Sequence, residues 1–210
     1  MMLISLSATA VARGGRITIK GSDTMVILNQ RWAEEYMRTH RGIIVQVTGG
    51  GSGTGIAALL NGTTDICAAS RPLKAREIKM LKRRFKRPPV KFAVAMDGIA
   101  IYVNHANPIK VLTLEQIRLI YTGRLNNWRY VGGPNRKIVR YGRENNSGTY
   151  AFLKEHVLRG ADYANDCQAM PGTAAVVNAV AKDKWAIGYG GIGYAKGVKI
   201  VAVKKNAKSP

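Results

Sequence analysis

Residues 43–62 read IIVQVTGGGSGTGIAALLNG, and the order of residue types within them decides the fold class. Ile43 to Val47 is largely apolar and β-branched, the composition of a strand. Glycines follow at 49, 50, 51, 53 and 55, with Ser52 and Thr54 between them. Ile56 to Leu60 is apolar and helix-forming, and Asn61-Gly62 stops the helix. A strand that passes through a glycine-rich turn into a helix is the repeating unit of α/β architecture.

The same grammar extends in both directions. Upstream, Arg16 to Lys20 alternates as a strand does, and Gly21-Ser22-Asp23-Thr24 forms a polar turn. Met25, Leu28, Trp32 and Tyr36 then share one helix face, with Ser22 or Asp23 as cap and Gly42 as stop. Downstream, Asp65 to Ala69 predicts a third strand ending at Ser70-Arg71-Pro72, and Lys74 to Arg84 a helix. Val90 to Val103 is too long for one strand of about 5–6 residues. Its break at Asp97-Gly98 predicts one strand leaving a first lobe and another entering a second. Thr113 and Gln116 have capping-box spacing for a helix to Tyr121. Ile138 to Tyr141 predicts a strand, and Arg143 to Thr149 a polar turn leading into a helix that ends at Leu158. Thr173 to Lys182 predicts a helix, and 187–189 and 198–203 predict closing strands. The expected class is α/β with largely parallel pairing.

Polar turns at strand-to-helix junctions recur around Thr24, Ser52 and Ser147, and a fourth, at Ser70-Arg71, also follows a strand. A helix N-terminus has unpaired N–H groups and about half a positive charge. Glycine lets backbone approach an anion closely, and Ser and Thr add hydroxyl donors. Arg71 and Arg143 supply forked cationic donors suited to phosphate geometry. If these turns converge at the carboxyl edge of the sheets, they form an oxyanion site.

Other chemistries lack material. The glycine-rich turn has no Gly-Lys-Ser/Thr ending and no G-x-G-x-x-G spacing, and neither Ser52 nor Ser147 sits in G-x-S-x-G. His40, His105 and His156 do not pair at metal-ligand spacing, so no metal or cofactor is predicted. Cys67 and Cys167 are distant in sequence, and Cys67 reads as a small core residue. The formal charge of +21 attracts anions without naming one. Its densest run, Lys79 to Arg87, has only Phe85 as an aromatic, which argues against nucleic acid. Leu3 to Ala12 ends in Ala-Val-Ala, and reads either as the tail of a signal peptide or as an ordinary first strand.

The motifs GSDTM (21–25), TGGGSGTGIAAL (48–59), DICAASRPL (65–73), GRENNSGTYAFL (142–153) and AIGYGGIGY (186–194) occur in one order. With them the chain resembles the phosphate-binding proteins of ABC transporters, in the type II periplasmic-binding-protein class. The resemblance implies two α/β lobes joined by two crossing strands, with the anion in the cleft. It implies a first lobe of 1–96 plus 195–210, with 1–12 a possible signal remnant, and a second lobe of 97–194. Carried over by motif, Thr24, the Met25 N–H, Ser52, Ser70 and Arg71 donate from the first lobe. Arg143, Ser147, Gly148 and Thr149 donate from the second. Some members have Asp where this chain has Arg71; Asp23, Asp97 or Glu144 is then left to accept the phosphate proton. The implied protein is a periplasmic or extracellular monomer that hands phosphate to ABC permease subunits, touches the membrane only through them, binds no nucleic acid and is no enzyme. Alternatives are another oxyanion (sulfate, molybdate, tungstate), a phosphatase using the same pocket, or a basic surface protein acting through net charge.

Overall fold

The structure, a computed structural model, describes residues 15–206; the candidate signal segment 1–12 lies outside them. The described residues form two sheets. The first is three-stranded in the order β2-β1-β3, built from β1 (Arg16–Gly21), β2 (Ile44–Thr48) and β3 (Ile66–Ala68). All its pairings are parallel, with Ile19 opposite both Val47 and Ile66. Helices α1 (Val26–Thr39), α2 (Ser52–Asn61) and α3 (Ala75–Phe85) connect and follow these strands. α2 starts at Ser52, four residues earlier than the apolar run at Ile56 implied. Its first turn lies on the end of β1, where a Cβ at Gly55 would sit 2.4 Å from the Lys20 carbonyl oxygen. Only glycine allows that approach, so residues that look like loop are helix.

The second sheet has six strands in the order β5-β9-β4-β8-β6-β7. They are β4 (Ile99–Val103), β5 (Val111–Thr113), β6 (Val139–Arg143), β7 (Gln168–Met170), β8 (Ala186–Gly191) and β9 (Lys199–Lys204). β4 runs antiparallel to β8 and β9, while β5–β9, β6–β7 and β6–β8 are parallel. Helices α4 (Leu114–Tyr121), α5 (Gly148–His156) and α6 (Thr173–Lys182) complete this lobe. β4 is buried on both faces, which explains its unbroken apolar sequence IAIYV. Ile101 and Val103 pack with Ile117, Ile120 and Trp128 on one side. Ala100 and Tyr102 pack with Val176 and Val180 of α6 on the other. The Thr113–Gln116 capping box is present in both directions, at 3.1 and 2.8 Å.

Two expectations about connectivity are corrected. Val90 to Met96 is not a strand: residues 88–98 carry no regular secondary structure. Among the described residues no neighbouring strand pairs with this alternating run. Residues 195–210 were assigned to the first lobe, but β9 lies inside the second sheet. Val201 pairs with Ile101 and is buried in that core, which holds the segment there. Among the described residues the chain therefore crosses between the sheets once, along 86–98, not twice.

Candidate anion-binding site

Three loops leave the carboxyl ends of β1, β2 and β3, and parallel pairing brings those ends side by side. Each loop delivers a hydroxyl. The Ser22 hydroxyl donates to Ser70 Oγ at 2.8 Å and lies 2.9 Å from Thr24 Oγ1. Ser70 Oγ is 3.2 Å from Ser52 Oγ, and the Ser70 N–H donates to Ser52 Oγ at 3.1 Å. Ser22 and Ser52 are buried. Ser22, Thr24, Ser52 and Ser70 are thus one connected cluster.

The second lobe meets that cluster with the start of α5. A Cβ at Gly148 would sit 2.4 Å from Ser70 Oγ and 2.6 Å from Ser52 Oγ. The first residue of α5 therefore lies against the hydroxyls of the other lobe, and only glycine fits. Ser147 caps α5, its Oγ accepting from the Tyr150 N–H at 3.3 Å. The Gly53 N–H, in the first turn of α2, donates to the Asn146 carbonyl at 2.8 Å. The Asn146 side-chain amide donates to Gly50 O at 3.0 Å and Thr54 Oγ1 at 3.1 Å. The N-termini of α2 and α5 thus meet. Two positive helix poles facing one another are unfavourable unless negative charge lies between them.

Arg143, the last residue of β6, adds a full charge. Its side chain is buried; Nη1 donates to Thr173 Oγ1 at 2.8 Å and Nη2 to Asp23 Oδ2 at 2.5 Å. Nε is buried and has no hydrogen-bond partner among the described residues. An orphaned donor on a buried guanidinium is costly and unusual. Arg140, three residues earlier and equally buried, shows the contrast. Its donors reach Ile120 O, Leu125 O and both carboxylate oxygens of Asp166. Arg140 is a structural arginine with every donor group engaged; Arg143 has capacity left over.

Asp23 joins the two lobes. Its Oδ1 accepts from the Gly50 N–H at 2.8 Å, while Oδ2 takes Arg143. Its carbonyl accepts from the Tyr194 hydroxyl at 2.6 Å. A tyrosine relay fixes the other side of Arg143. The Arg143 N–H donates to Tyr189 Oη at 3.2 Å, Tyr189 donates to Tyr163 Oη at 3.0 Å, and Tyr163 donates to Tyr150 O at 3.1 Å. That relay ties the end of β6 to the first turn of α5. Burial pushes the phenols of Tyr163 and Tyr189 well above the ordinary tyrosine value, so they stay protonated donors.

Of the residues expected at the site, Thr24, Ser52, Ser70, Arg143, Ser147 and Gly148 are brought to this junction, and Thr149 follows Gly148 in α5 and is buried. Met25 is present, but its N–H already donates to Ser22 O at 3.1 Å, closing the 3-10 turn Asp23–Met25. Arg71 is engaged by Glu77 and Pro72. Its two Nη groups bind both carboxylate oxygens of Glu77 at 2.9 and 2.8 Å, and Nη1 also reaches Pro72 O. The Arg71 guanidinium holds Glu77 below the usual carboxylate range. Of the three carboxylates considered as acceptors, Asp23 stands in the cluster, whereas Asp97 and Glu144 are exposed. Ser22, Asn146 and Thr173 were missed. Thr173 had a signal, since Gly172-Thr173 repeats the pattern of a small polar turn opening a helix. Asn146 lies inside a recognised motif, but nothing local marks it as a bridge.

Two α/β lobes whose strand-end loops and helix N-termini enclose a buried guanidinium define a substrate-binding protein of the type II periplasmic-binding-protein fold. The chain belongs to the PBP superfamily, whose domain model matches residues 7–209, and within it to the phosphate-binding proteins of ABC transporters. It is 34% identical over 204 residues to the phosphate-binding protein PstS of Pseudomonas aeruginosa, covering 91% of this chain and 63% of that one. The chain thus spans less than two thirds of that curated relative. A Clostridium perfringens protein described as a phosphate ABC transporter substrate-binding protein, solved with bound phosphate, superposes with a TM-score of 0.83. Its identity is 31%, over 91% of this chain and 76% of that one. An ABC-type phosphate transport receptor from Vibrio cholerae is 33% identical with a TM-score of 0.67, over 91% of this chain and 77% of that one.

Proposed function

We propose that the chain captures inorganic phosphate between its lobes, outside the cytoplasmic membrane, and presents it to the transmembrane subunits of an ABC importer. The observation that carries this reading is Arg143, a buried guanidinium with an unused Nε, set in the lobe whose α5 N-terminus meets that of α2. Such a place favours a compact anion with several acceptor oxygens, because Ser52, Arg143, Ser147 and Thr149 are buried there and Thr24 and Ser70 partly so. Thr24, Ser52 and Ser70 donate from the first lobe, and Arg143, Ser147, Gly148 and Thr149 from the second. Arg71 acts indirectly, by clamping the loop that carries Ser70. Asp23 accepts the proton of hydrogenphosphate, since a carboxylate has about four lone-pair sites and two contacts here account for only part of them. The reading is a monomeric binding protein without turnover.

Titration calorimetry with phosphate, sulfate, arsenate and molybdate tests the proposal. Phosphate is expected to bind tightest. Gly148→Ala fills the space beside Ser52 and Ser70, and Arg143→Lys loses the fork geometry. Each is expected to weaken phosphate binding by about 10- to 100-fold, the loss of one or two charge-assisted hydrogen bonds. Unchanged affinity in both variants rejects the site. Steady release of product from a chromogenic phosphate ester would instead make the pocket catalytic.

A further inference from the structure

Helix α3 carries a dense charge that the anion site does not use. From Lys74 to Lys91 there are nine Lys or Arg residues and one carboxylate, Glu77. Glu77 is taken by Arg71. Arg76, Lys79, Lys82, Arg83 and the C-cap Lys86 are exposed, and none forms an ion pair with a carboxylate among the described residues. At the helical period Arg76, Lys79 and Arg83 share one stripe, and Lys82 adjoins Lys79. The opposite side holds Leu81, which is 1% exposed. Both ends of the helix are anchored. Arg71 and Glu77 clamp its start, and near its end Arg84 Nη2 donates to Asn61 O of α2 at 3.2 Å. Met80 and Phe85 are 48% and 42% exposed beside the cations. Burying unpaired cations is costly, so this face is held toward solvent or toward matching negative charge.

We propose that the outward face of α3 docks on an anionic phospholipid surface, lying across the headgroups. The proposal rests on the reading of a binding protein that works outside the cytoplasmic membrane beside an importer. Clusters of about four to eight Lys or Arg on one helix are enough to hold a protein at such a surface. A helix face is convex, and these side chains are long and unpaired. They suit a fluid plane of phosphates better than a fixed set of partner carboxylates. Met80 and Phe85 add apolar side chains at headgroup depth. Nucleic acid is disfavoured, because Phe85 is the one aromatic between Lys74 and Lys91 and offers no run of stacking partners. A second copy of this chain is disfavoured by mutual repulsion at a formal charge of +21 each. Attachment of this kind concentrates the protein on the surface where an importer lies.

The test is sedimentation of the whole chain with vesicles of phosphatidylglycerol and phosphatidylcholine in equal parts. Binding is expected at low salt, and vesicles of phosphatidylcholine alone are expected to bind nothing. Lys79→Gln, Lys82→Gln and Arg83→Gln together remove charge from the face and keep helix-forming residues. They are expected to weaken vesicle binding by about 100-fold, roughly fivefold per cation. Lys110→Gln, Lys182→Gln and Lys196→Gln change exposed cations of the second lobe and lower the net charge equally. They are expected to weaken binding by less than about threefold, because charges beyond a screening length contribute little. Melting temperature and phosphate calorimetry are expected to be unchanged in both triple variants. A chain that binds vesicles but not phosphate supports this proposal and rejects the anion site; one that binds phosphate but not vesicles does the reverse. Equal loss of vesicle binding in the two triple variants overturns the proposal in favour of net charge alone. Binding of poly-glutamate through the same three residues, without binding of vesicles, overturns it in favour of an acidic polypeptide.

Discussion

At the scale of single residues, the site depends on what each donor has left to give. Arg140 and Arg143 are both buried, yet only Arg143 retains a free Nε. Asp23 is the residue on which selectivity turns. Its carboxylate faces a cationic group, and an ionised carboxylate accepts a proton from hydrogenphosphate but repels fully ionised sulfate. Asp23→Asn places a donor there instead. Phosphate affinity is expected to fall and sulfate affinity to rise, narrowing the preference by at least about tenfold, the value of one mismatched buried hydrogen bond. Competition calorimetry reads this directly, and an unchanged ratio would assign proton recognition elsewhere. Cys167 sits beside Gly142 in a pocket of about 410 Å³. Burial pushes its thiol up to about 12. It is expected to react slowly with iodoacetamide at pH 8, because the thiolate is the nucleophile.

At the scale of elements, the ends of helices carry both stability and function. The box that opens α4 is purely structural: Thr113→Ala removes one of its two bonds and is expected to cost about 1 kcal/mol in chemical denaturation. Phosphate affinity should not move. The start of α3 is held by Arg71 and Glu77, which also accepts from the Lys74 N–H at 2.7 Å. Glu77 is depressed in the folded state, first by its Arg71 hydrogen bonds. A depressed carboxylate stabilises the fold above its unfolded value, and that contribution is lost as pH falls through the folded one. Stability is therefore expected to decline below about pH 4.5, and Glu77→Gln to flatten that part of the profile. Thermal melting between pH 3 and 7 tests it.

At the scale of the whole molecule, the two lobes are held together by contacts that surround the anion site. Asn146 reaches Gly50 and Thr54, Gly53 reaches Asn146, and Arg143 reaches Asp23. A ligand that bonds to both sides shifts the equilibrium toward closure by as much as it prefers that state. The formal charge of +21 acts at longer range. It raises the local concentration of anions and is screened over about 8 Å at physiological salt. Raising ionic strength from about 0.01 to 0.3 M spans most of that screening and is expected to slow phosphate association more than it changes dissociation. Stopped-flow kinetics separates the two. Equal changes in both rates would show that the distributed charge plays no part in capture.

The sequence alone determined the local grammar. Strand 16–20, the α4 box and the polar turns at Thr24, Ser52 and Ser147 were legible because propensity, capping and glycine act over a few residues. It did not reveal that α2 begins at Ser52, because the reason is a contact with Lys20 from another strand. Nor did it reveal that Arg71 is spent on Glu77 while Arg143 is not, since both read as forked donors beside a turn. The placement of β9 and the unpaired state of Val90–Met96 were likewise decided in three dimensions. An alternating apolar run states only that a strand is possible. Whether it becomes one depends on a neighbour to take its hydrogen bonds, and that neighbour is set by tertiary structure.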